Sequence, residues 1–212
     1  MVSAEAQTRV DFSFQLDGHG VETFSNTDSA FHIRKLRCYV SNIRLKNGQQ
    51  TLAVFGGKAL LLDALHQEGN YALLQKILPG DVTQIVFGLG IDSVVQTSGV
   101  MDGSLDPASG MYWTWQSGYI HLKFEGHHPQ SRHRKKEFQY HIGGYRHPYN
   151  SYREITLPAN NSTQLVVRIE LRALMDAIDF AAKDHIMSPG AEAVRLSDAA
   201  VQMFTLETNE KN

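Results

Sequence analysis

Hydrophobic and polar residues alternate with a period of two over most of the chain, which is typical of strands with one buried face. Eight segments show this pattern, most of them bounded by Gly, Asp, Asn or Pro: TRVDFSFQL (8–16), LRCYVSNIRL (36–45), KALLLDA (58–64), TQIVFGLGI (83–91), YIHLKFEG (119–126), EFQYHIGG (137–144), REITLP (153–158) and QLVVRIEL (164–171). Strands at such short spacing with few helices favour an antiparallel sandwich or barrel.

Helical periodicity is confined to a few short stretches. It occurs in NYALLQKIL (70–78), which Pro79 ends, in LRALMDAIDFAAKD (171–184) and more weakly in LSDAAVQMF (196–204). Short helices are therefore expected around residues 70–78 and 172–184. Because the chain contains no internal repeat and no low-complexity linker, it is interpreted as a single domain over residues 1–212.

Composition excludes several classes of protein. The formal charge is −2, so no global attraction to nucleic acid or to an anionic membrane is expected. No run of about eighteen apolar residues occurs, and no membrane span is predicted. The single cysteine, Cys38, excludes a disulfide-stapled fold. The first residues, MVSAEAQTRVDF, lack the basic and apolar regions of a signal peptide, so either the protein is cytosolic or a signal has been removed.

Two histidines are predicted to share one face of a β-hairpin. In YIHLKFEG and EFQYHIGG, His121 and His141 both lie opposite the apolar residues. A register that pairs Phe124 with Phe138 also pairs these histidines, and directly opposed residues lie roughly 4.5–5.5 Å apart at Cβ. Two imidazoles at that separation can share one metal ion. A slip of two residues would leave them diagonal on the same face.

A third ligand is needed for tight metal binding. The candidates are His32 in AFHIRKL, His147 in YRHPYN and the histidines at 127, 128 and 133. The last three belong to HHPQSRHRKK (127–136), which is predicted to be a basic surface loop. Neighbouring positive charge disfavours a bound cation, so His32 ranks above them. The predicted metal ligands are therefore His32, His121 and His141.

Other chemistry has weaker support. The glycines of GLGIDSVVQTSGVMDGSLDP (88–107) do not form the G-x-G-x-x-G pattern of a phosphate loop. Asp92, Asp102 and Asp106 in this stretch could hold calcium, but their spacing fits no EF-hand and favours turn-forming roles. No G-x-S-x-G elbow is present, and Cys38 lies inside a strand, where packing is the expected role.

Both tryptophans lie two positions apart in GMYWTWQSGYIHLKFEG (110–126). On an extended segment, Trp113 and Trp115 point to the same face. Burial in the core is the ordinary role of tryptophan, and a single-sided core would favour this spacing. Met111 in the same segment could offer a thioether sulfur to a metal ion, although methionine in a β-core is usually filler.

Several stretches together resemble the MbnP-like family, which is encoded beside di-haem MauG-type peroxidases and, in some bacteria, in methanobactin copper-acquisition operons. These stretches are YVSNIRL, LLLDA, IVFGLGIDS, GSLDPASGMYWTWQSGYIHLKFEG and FQYHIGG. They occur in the family's order, the likeness covers roughly residues 10–205, and the segment from Asp106 to Gly126 is the most specific part.

The resemblance implies an all-β protein, an antiparallel and Greek-key-like β-sandwich with a few short helices. It also implies a periplasmic or exported protein that binds copper, as Cu⁺ or Cu²⁺, through histidines. One tryptophan, Trp113 or Trp115, would be oxidised to kynurenine by the di-haem peroxidase partner. An indole that is to be oxidised is expected near the surface, and the new amine and carbonyl could ligate the metal or tune it.

Three functional hypotheses follow from the sequence. The first is a copper-binding protein that is the substrate of a peroxidase and not itself an enzyme. The second is an interaction module that uses the Trp-Thr-Trp patch and the basic loop without a metal. The third is a hydrolase with His121, His141 and Glu125 at an acid–base or metal site. Lys123 weakens the third, because a neighbouring cation lowers the pKa of Glu125.

Overall fold

The computed structural model describes residues 7–77, 81–99, 101–114, 118–159 and 165–207, which form two β-sheets. The strands are β1 (Thr8–Leu16), β2 (His19–Gly20), β3 (His32–Asn47), β4 (Gln50–Val54), β5 (Ala59–Asp63), β6 (Tyr71–Leu74), β7 (Gln84–Leu89), β8 (Tyr112–Trp113), β9 (Gly118–His127), β10 (Glu137–Gly143), β11 (Arg153–Pro158), β12 (Leu165–Glu170), β13 (His185–Ile186) and β14 (Phe204–Leu206). The helices are α1 (Ser93–Thr97), α2 (Arg172–Met175) and α3 (Ala191–Ala200). Single 3₁₀ turns lie at Val21–Phe24, Gln67–Gly69, Gly103–Leu105, Pro107–Ser109 and Val201–Met203.

The smaller sheet is built around β1 and the larger one around β3. β12 pairs in parallel with β1, while β6 and β2 pair with it in antiparallel fashion, and β14 extends the sheet beyond β12. The larger sheet contains nine strands. Six of them follow the order β11-β7-β3-β9-β10-β13, β4 and β5 also pair with β3, and β8 pairs with β9. Of the described pairs, β1–β12 and β10–β13 are parallel and the others antiparallel. The predicted all-β sandwich is confirmed, with these two parallel pairs as an addition.

The long strand β3 bends in its middle. Its register with β7 shifts between Ser41 and Arg44, and Asn42 at the shift has a φ of 54°. Asparagine tolerates this left-handed conformation better than most residues. Register places β9 against residues 32–38 and β7 against residues 40–46 along one edge of β3, so the shift lies within the region that pairs with β7.

The main core lies between the two sheets and is held by aromatic contacts. Phe87 of β7 contacts Phe12 of β1 at a ring-centroid distance of 5.9 Å and Phe204 of β14 at 5.3 Å. Edge-to-face contacts of this kind add to the stabilisation that burial provides. Because Phe87 belongs to the larger sheet and its two partners to the smaller one, these contacts join the layers.

Tertiary pairing overrides the helical pattern in one predicted helix. NYALLQKIL does not form a helix over its described part; instead, Tyr71–Leu74 is the strand β6, which pairs with β1. Ala72 and Leu74 are buried and alternate with more exposed neighbours. An open edge of β1 therefore decides the conformation of a segment whose local propensity is ambiguous. Residues 78–80 lie outside the described residues.

The remaining helices differ from the prediction in position and length. The stretch 172–184 contains only α2 and turns, while the longest described helix, α3, begins at Ala191, five residues before the weaker predicted segment. α1 was not predicted. Asp92 caps it by accepting hydrogen bonds from the backbone N–H groups of Val94 and Val95. None of the helices within the described ranges is long and apolar enough to cross a membrane.

Candidate functional site

β9 is buried on both faces, and this places polar side chains in an enclosed environment. Leu122 and Phe124 join the main core on its inner face. Its outer face is covered by residues 91–99 and 101–113, whose apolar side chains form a second cluster around Met111 and Trp113. Lys123 donates from Nζ to the carbonyl of Gly110 at 2.7 Å. The covering segment is thus held by polar contacts as well as by packing.

The predicted hairpin of β9 and β10 is present with a different register. His141 pairs with Lys123 and Phe124 pairs with Tyr140, a slip of two residues from the expected alignment. A bulge then skips His121, because the ladder passes from the Leu122 pair to the Ile120 pair. His121 and His141 are therefore diagonal neighbours on the outer face. The bulge also moves Ile120 from the inner to the outer cluster, which alternation in the sequence could not show.

His121 is held by protein hydrogen bonds at both ring nitrogens. The side-chain oxygen of Gln96 accepts a hydrogen bond from the backbone N–H of Tyr119 at 2.8 Å. The side-chain nitrogen of Gln96 therefore donates a hydrogen bond to Nε2 of His121, also at 2.8 Å. Nδ1 then carries the proton and donates to Ser151 Oγ at 3.1 Å. Burial lowers the pKa of His121 to about 4, so the ring is neutral at physiological pH. These contacts tie β9 to α1 and to the chain around residue 151.

Gly90 makes room for this ring. Its φ is +102°, and a Cβ atom at this position would lie 2.5 Å from Cγ of His121. Glycine is therefore required on both conformational and steric grounds. Both glycines of GLGID make room for side chains, Gly90 for His121 and Gly88 for Tyr152.

His141 forms a buried pair with Glu125. Its Nε2 lies 2.7 Å from Oε1 of Glu125, and the side chains of the two residues are 8% and 11% exposed. The hydrogen bond from His141 is the largest cause that lowers the pKa of Glu125 to about 2, and the charge of Lys123 adds to it. Donation from Nε2–H leaves Nδ1 as the nitrogen with the free electron pair. Metal-bound histidines have this arrangement, with the second ring nitrogen tied to a carboxylate.

Met187 directly follows β13, the strand that neighbours β10. In the parallel pair of β10 and β13, Tyr140 pairs with Ile186, and His141 and Met187 are the next residues along the chain after this pair. Met187 is 42% exposed. Met111, the methionine that the sequence suggested, is fully buried in the second cluster. The position of Met187 depends on a pairing between distant segments, and periodicity gave no signal for it.

Trp113 packs against the strand that carries His141. A Cβ atom at Gly143 would lie 2.8 Å from Cζ3 of Trp113, so the indole rests on the glycine backbone. Trp113 is 5% exposed, and the expectation that it lies at the surface is wrong. It lines a cavity of about 130 Å³ together with Gly144, Tyr145 and Pro189, among other residues. Trp115 lies outside the described residues.

Short stretches of chain link the cavity at Trp113 to His141 and Met187. Gly143 and Gly144 follow His141 closely in sequence, and Pro189 follows Met187 by two residues. Gly144 and Pro189 line the cavity together with Trp113.

His32 lies elsewhere. It pairs with His127 at the far end of β9, six residues along the strand from His121. At roughly 3.3 Å per residue, this separation is about 20 Å. The fold thus does not bring His32, His121 and His141 together. Among the residues that the structure describes, no group of three or more His, Cys, Asp or Glu side chains is arranged to hold a metal ion.

The aspartates proposed for calcium have local structural roles. Asp92 caps α1, and its other oxygen accepts from Asn42 at 3.0 Å. Asp106 accepts from the N–H of Ala108 at 2.8 Å and so caps a 3₁₀ turn. Asp102 precedes the turn at Gly103–Leu105. These contacts account for the aspartates as turn-forming residues.

Comparison with known proteins identifies two matches. The family model described as MbnP matches residues 5–188. Among solved structures, MbnP from Methylosinus trichosporium superimposes with a TM-score of 0.60 at 14% sequence identity, over 89% of this chain and 86% of that one. The structural match reports a shared fold. No curated protein sequence matches the chain.

The buried neutral state of His121 predicts acid sensitivity. Its pKa is about 4 in the folded chain against the ordinary 6.5, so between these values the unfolded chain binds more protons. Stability should therefore fall as the pH is lowered from about 6.5 towards 4. We expect His121→Gln, which cannot titrate, to lose less stability across this window when urea unfolding is followed at several pH values. Equal pH slopes for both proteins would contradict the assignment of His121 as a neutral structural residue.

Proposed function

The chain belongs to the MbnP family, and on that premise we propose that it is an exported, periplasmic copper-binding protein and the substrate of a di-haem MauG-type peroxidase. The peroxidase oxidises one tryptophan of the Trp-Thr-Trp motif to kynurenine. The observation that supports this proposal is the cavity at Trp113, whose lining residues Gly144 and Pro189 follow His141 and Met187 by three and two positions in the chain. In this account the chain binds copper and does not catalyse a reaction itself.

The donor atoms of this region suit copper. His141 offers Nδ1, because its Nε2–H donates a hydrogen bond to the carboxylate of Glu125. Met187 offers a soft thioether sulfur, which favours Cu⁺ over harder cations. The positive charge of Lys123 opposes a cation nearby, but Gly110 and Glu125 both engage it. Copper would supply a redox-active or transferable ion here, and the protein would supply the orientation of its ligands.

In this proposal, the predicted ligands His32 and His121 do not bind the copper ion. His121 keeps its hydrogen bonds to Gln96 and Ser151, which hold the bulge of β9. Ligation by His121 would require at least one of these contacts to break. His32 lies on β3 opposite the far end of β9, too far from His141 to take part in the same site.

We assign the modification to Trp113, which is buried and is the described tryptophan of the motif. Two equivalents of peroxide oxidise the indole by four electrons and cleave its C2–C3 bond, and hydrolysis then releases C2 as formate and leaves an aryl amine and a ketone. Gly143 lies beside Cζ3 and Cη2 of the six-membered ring, so the two new groups would form on the opposite edge of that ring. A copper site that is incomplete before oxidation is consistent with the lack of a three-residue ligand cluster among the described side chains.

The alternative of a hydrolase has less support. Hydrolysis with Glu125 as general base needs a carboxylate whose pKa lies near the working pH. Hydrogen bonding by His141 instead lowers the pKa of Glu125 to about 2. A carboxylate held in this way orients the histidine better than it accepts a proton from water.

The first test concerns the copper ligands. Replacing His141 or Met187, as His141→Ala and Met187→Leu, should weaken Cu⁺ binding by at least tenfold, about 1.4 kcal/mol each. The measurement is a competition titration with a chromophoric Cu⁺ chelator on protein produced together with its peroxidase. His133→Ala is the matched control, because His133 lies in the basic loop. Undiminished binding in both variants, or loss in the control alone, would reject this site.

The second test concerns the tryptophan. Production with the peroxidase should change the intact mass by the amount of one tryptophan-to-kynurenine conversion, and peptide mapping should place the change at residue 113. Trp113→Phe should remove the modification and weaken copper binding together. Modification of Trp115 alone, or full copper binding by an unmodified chain, would contradict the role given to Trp113.

A further inference from the structure

A second pair of imidazoles lies at the far end of β9. His32 of β3 and His127 of β9 are directly opposed in the antiparallel ladder. Their ring centroids are 4.2 Å apart, and the ring planes differ by 29°. This is the opposed arrangement that the sequence assigned to His121 and His141. His127 was placed in the basic loop by the sequence, but it is the last residue of the strand.

In each ring, one nitrogen lies near an oxygen that can accept a hydrogen bond, and the other nitrogen is available to bind a metal ion. Nδ1 of His32 lies 3.0 Å from the carbonyl oxygen of Ser29, so it carries the proton and Nε2 has the free electron pair. Nε2 of His127 faces Glu137 at 3.9 Å, while its Nδ1 is buried and lacks a hydrogen-bond partner. Histidines that bind metals commonly show this division of roles.

The pair borders an open cavity with room for an ion and its water ligands. The cavity has a volume of about 620 Å³ and is lined by both rings and by the chain around Ser25, Thr27 and Ser29. Two cations also line it and oppose a bound cation. Arg34 lies 3.5 Å from Glu125 and 3.6 Å from Glu137, and Lys136 donates to the carbonyl of Ser131 at 3.1 Å. Their charges are thus partly balanced, and moderate affinity is expected.

We propose that His32 and His127 form a second metal site, which binds a divalent transition-metal ion of the Zn²⁺ class through two imidazoles and water. Glu137 positions His127 and does not need to touch the ion. The site is separate from the region around His141, because His127 and Lys123, the partner of His141, are four residues apart on β9. It does not depend on tryptophan oxidation.

The test uses Zn²⁺ and the full chain produced without a peroxidase. Isothermal titration should show one Zn²⁺ ion per chain, and His127→Gln and His32→Gln should each weaken binding at least tenfold. His128→Gln is the matched control, since His128 is the next residue but stacks on Phe180 at 4.0 Å. His141→Ala should also leave Zn²⁺ binding unchanged. Circular dichroism would verify that every variant is folded.

Three outcomes would overturn the inference. They are the absence of Zn²⁺ binding in the wild-type chain, unchanged binding in folded His127→Gln, and loss of binding in His141→Ala with retention in His127→Gln. The last result would place Zn²⁺ in the copper region. Ring resonances of His32 and His127 should shift on Zn²⁺ addition in NMR spectra, which gives a second readout that does not depend on the variants. Failure of the copper proposal would leave this result unaffected.

Discussion

Burial of β9 on both faces is the constraint on which the rest of the structure depends. Polar side chains on an enclosed strand are strongly favoured to have partners, because an unpaired buried group costs about 1–3 kcal/mol. His121 is satisfied by Gln96 and Ser151, and Glu125 by His141. These contacts hold α1 and the chain near residue 151 against β9 and link β9 to β10. The candidate copper region is thus positioned by the same hydrogen bonds that make this burial possible.

The sequence predicted the strands well because burial on one face leaves a period of two. All eight predicted strands are present, and two of them, Thr8–Leu16 and Arg153–Pro158, have the predicted bounds. The register in which the strands pair was harder to predict from the sequence. No glycine or proline adjoins His121 in YIHLKFEG to mark the bulge, which results from pairing with β10. The strand β6 was missed for a similar reason, since its conformation depends on the edge of β1.

The candidate sites could be predicted only in part. His141 was identified through its strand face, which local alternation determines. Met187 could not be identified, because the parallel pair of β10 and β13 joins segments some 46 residues apart in sequence, as the pairing of Tyr140 with Ile186 shows. His127 was set aside as part of a basic loop, although the ladder continues through it and opposes it to His32. Long-range pairing decides which histidines meet.

The central claim is that copper binds at His141 and Met187 beside an oxidised Trp113. X-ray absorption at the copper edge, on chain loaded with Cu⁺ after production with its peroxidase, tests this most directly. The account predicts a sulfur scatterer together with imidazole scattering, and it predicts that Met187→Leu removes the sulfur contribution while imidazole scattering persists. A spectrum of the wild-type chain with nitrogen and oxygen scatterers only, or one that His141→Ala leaves unchanged, would contradict it.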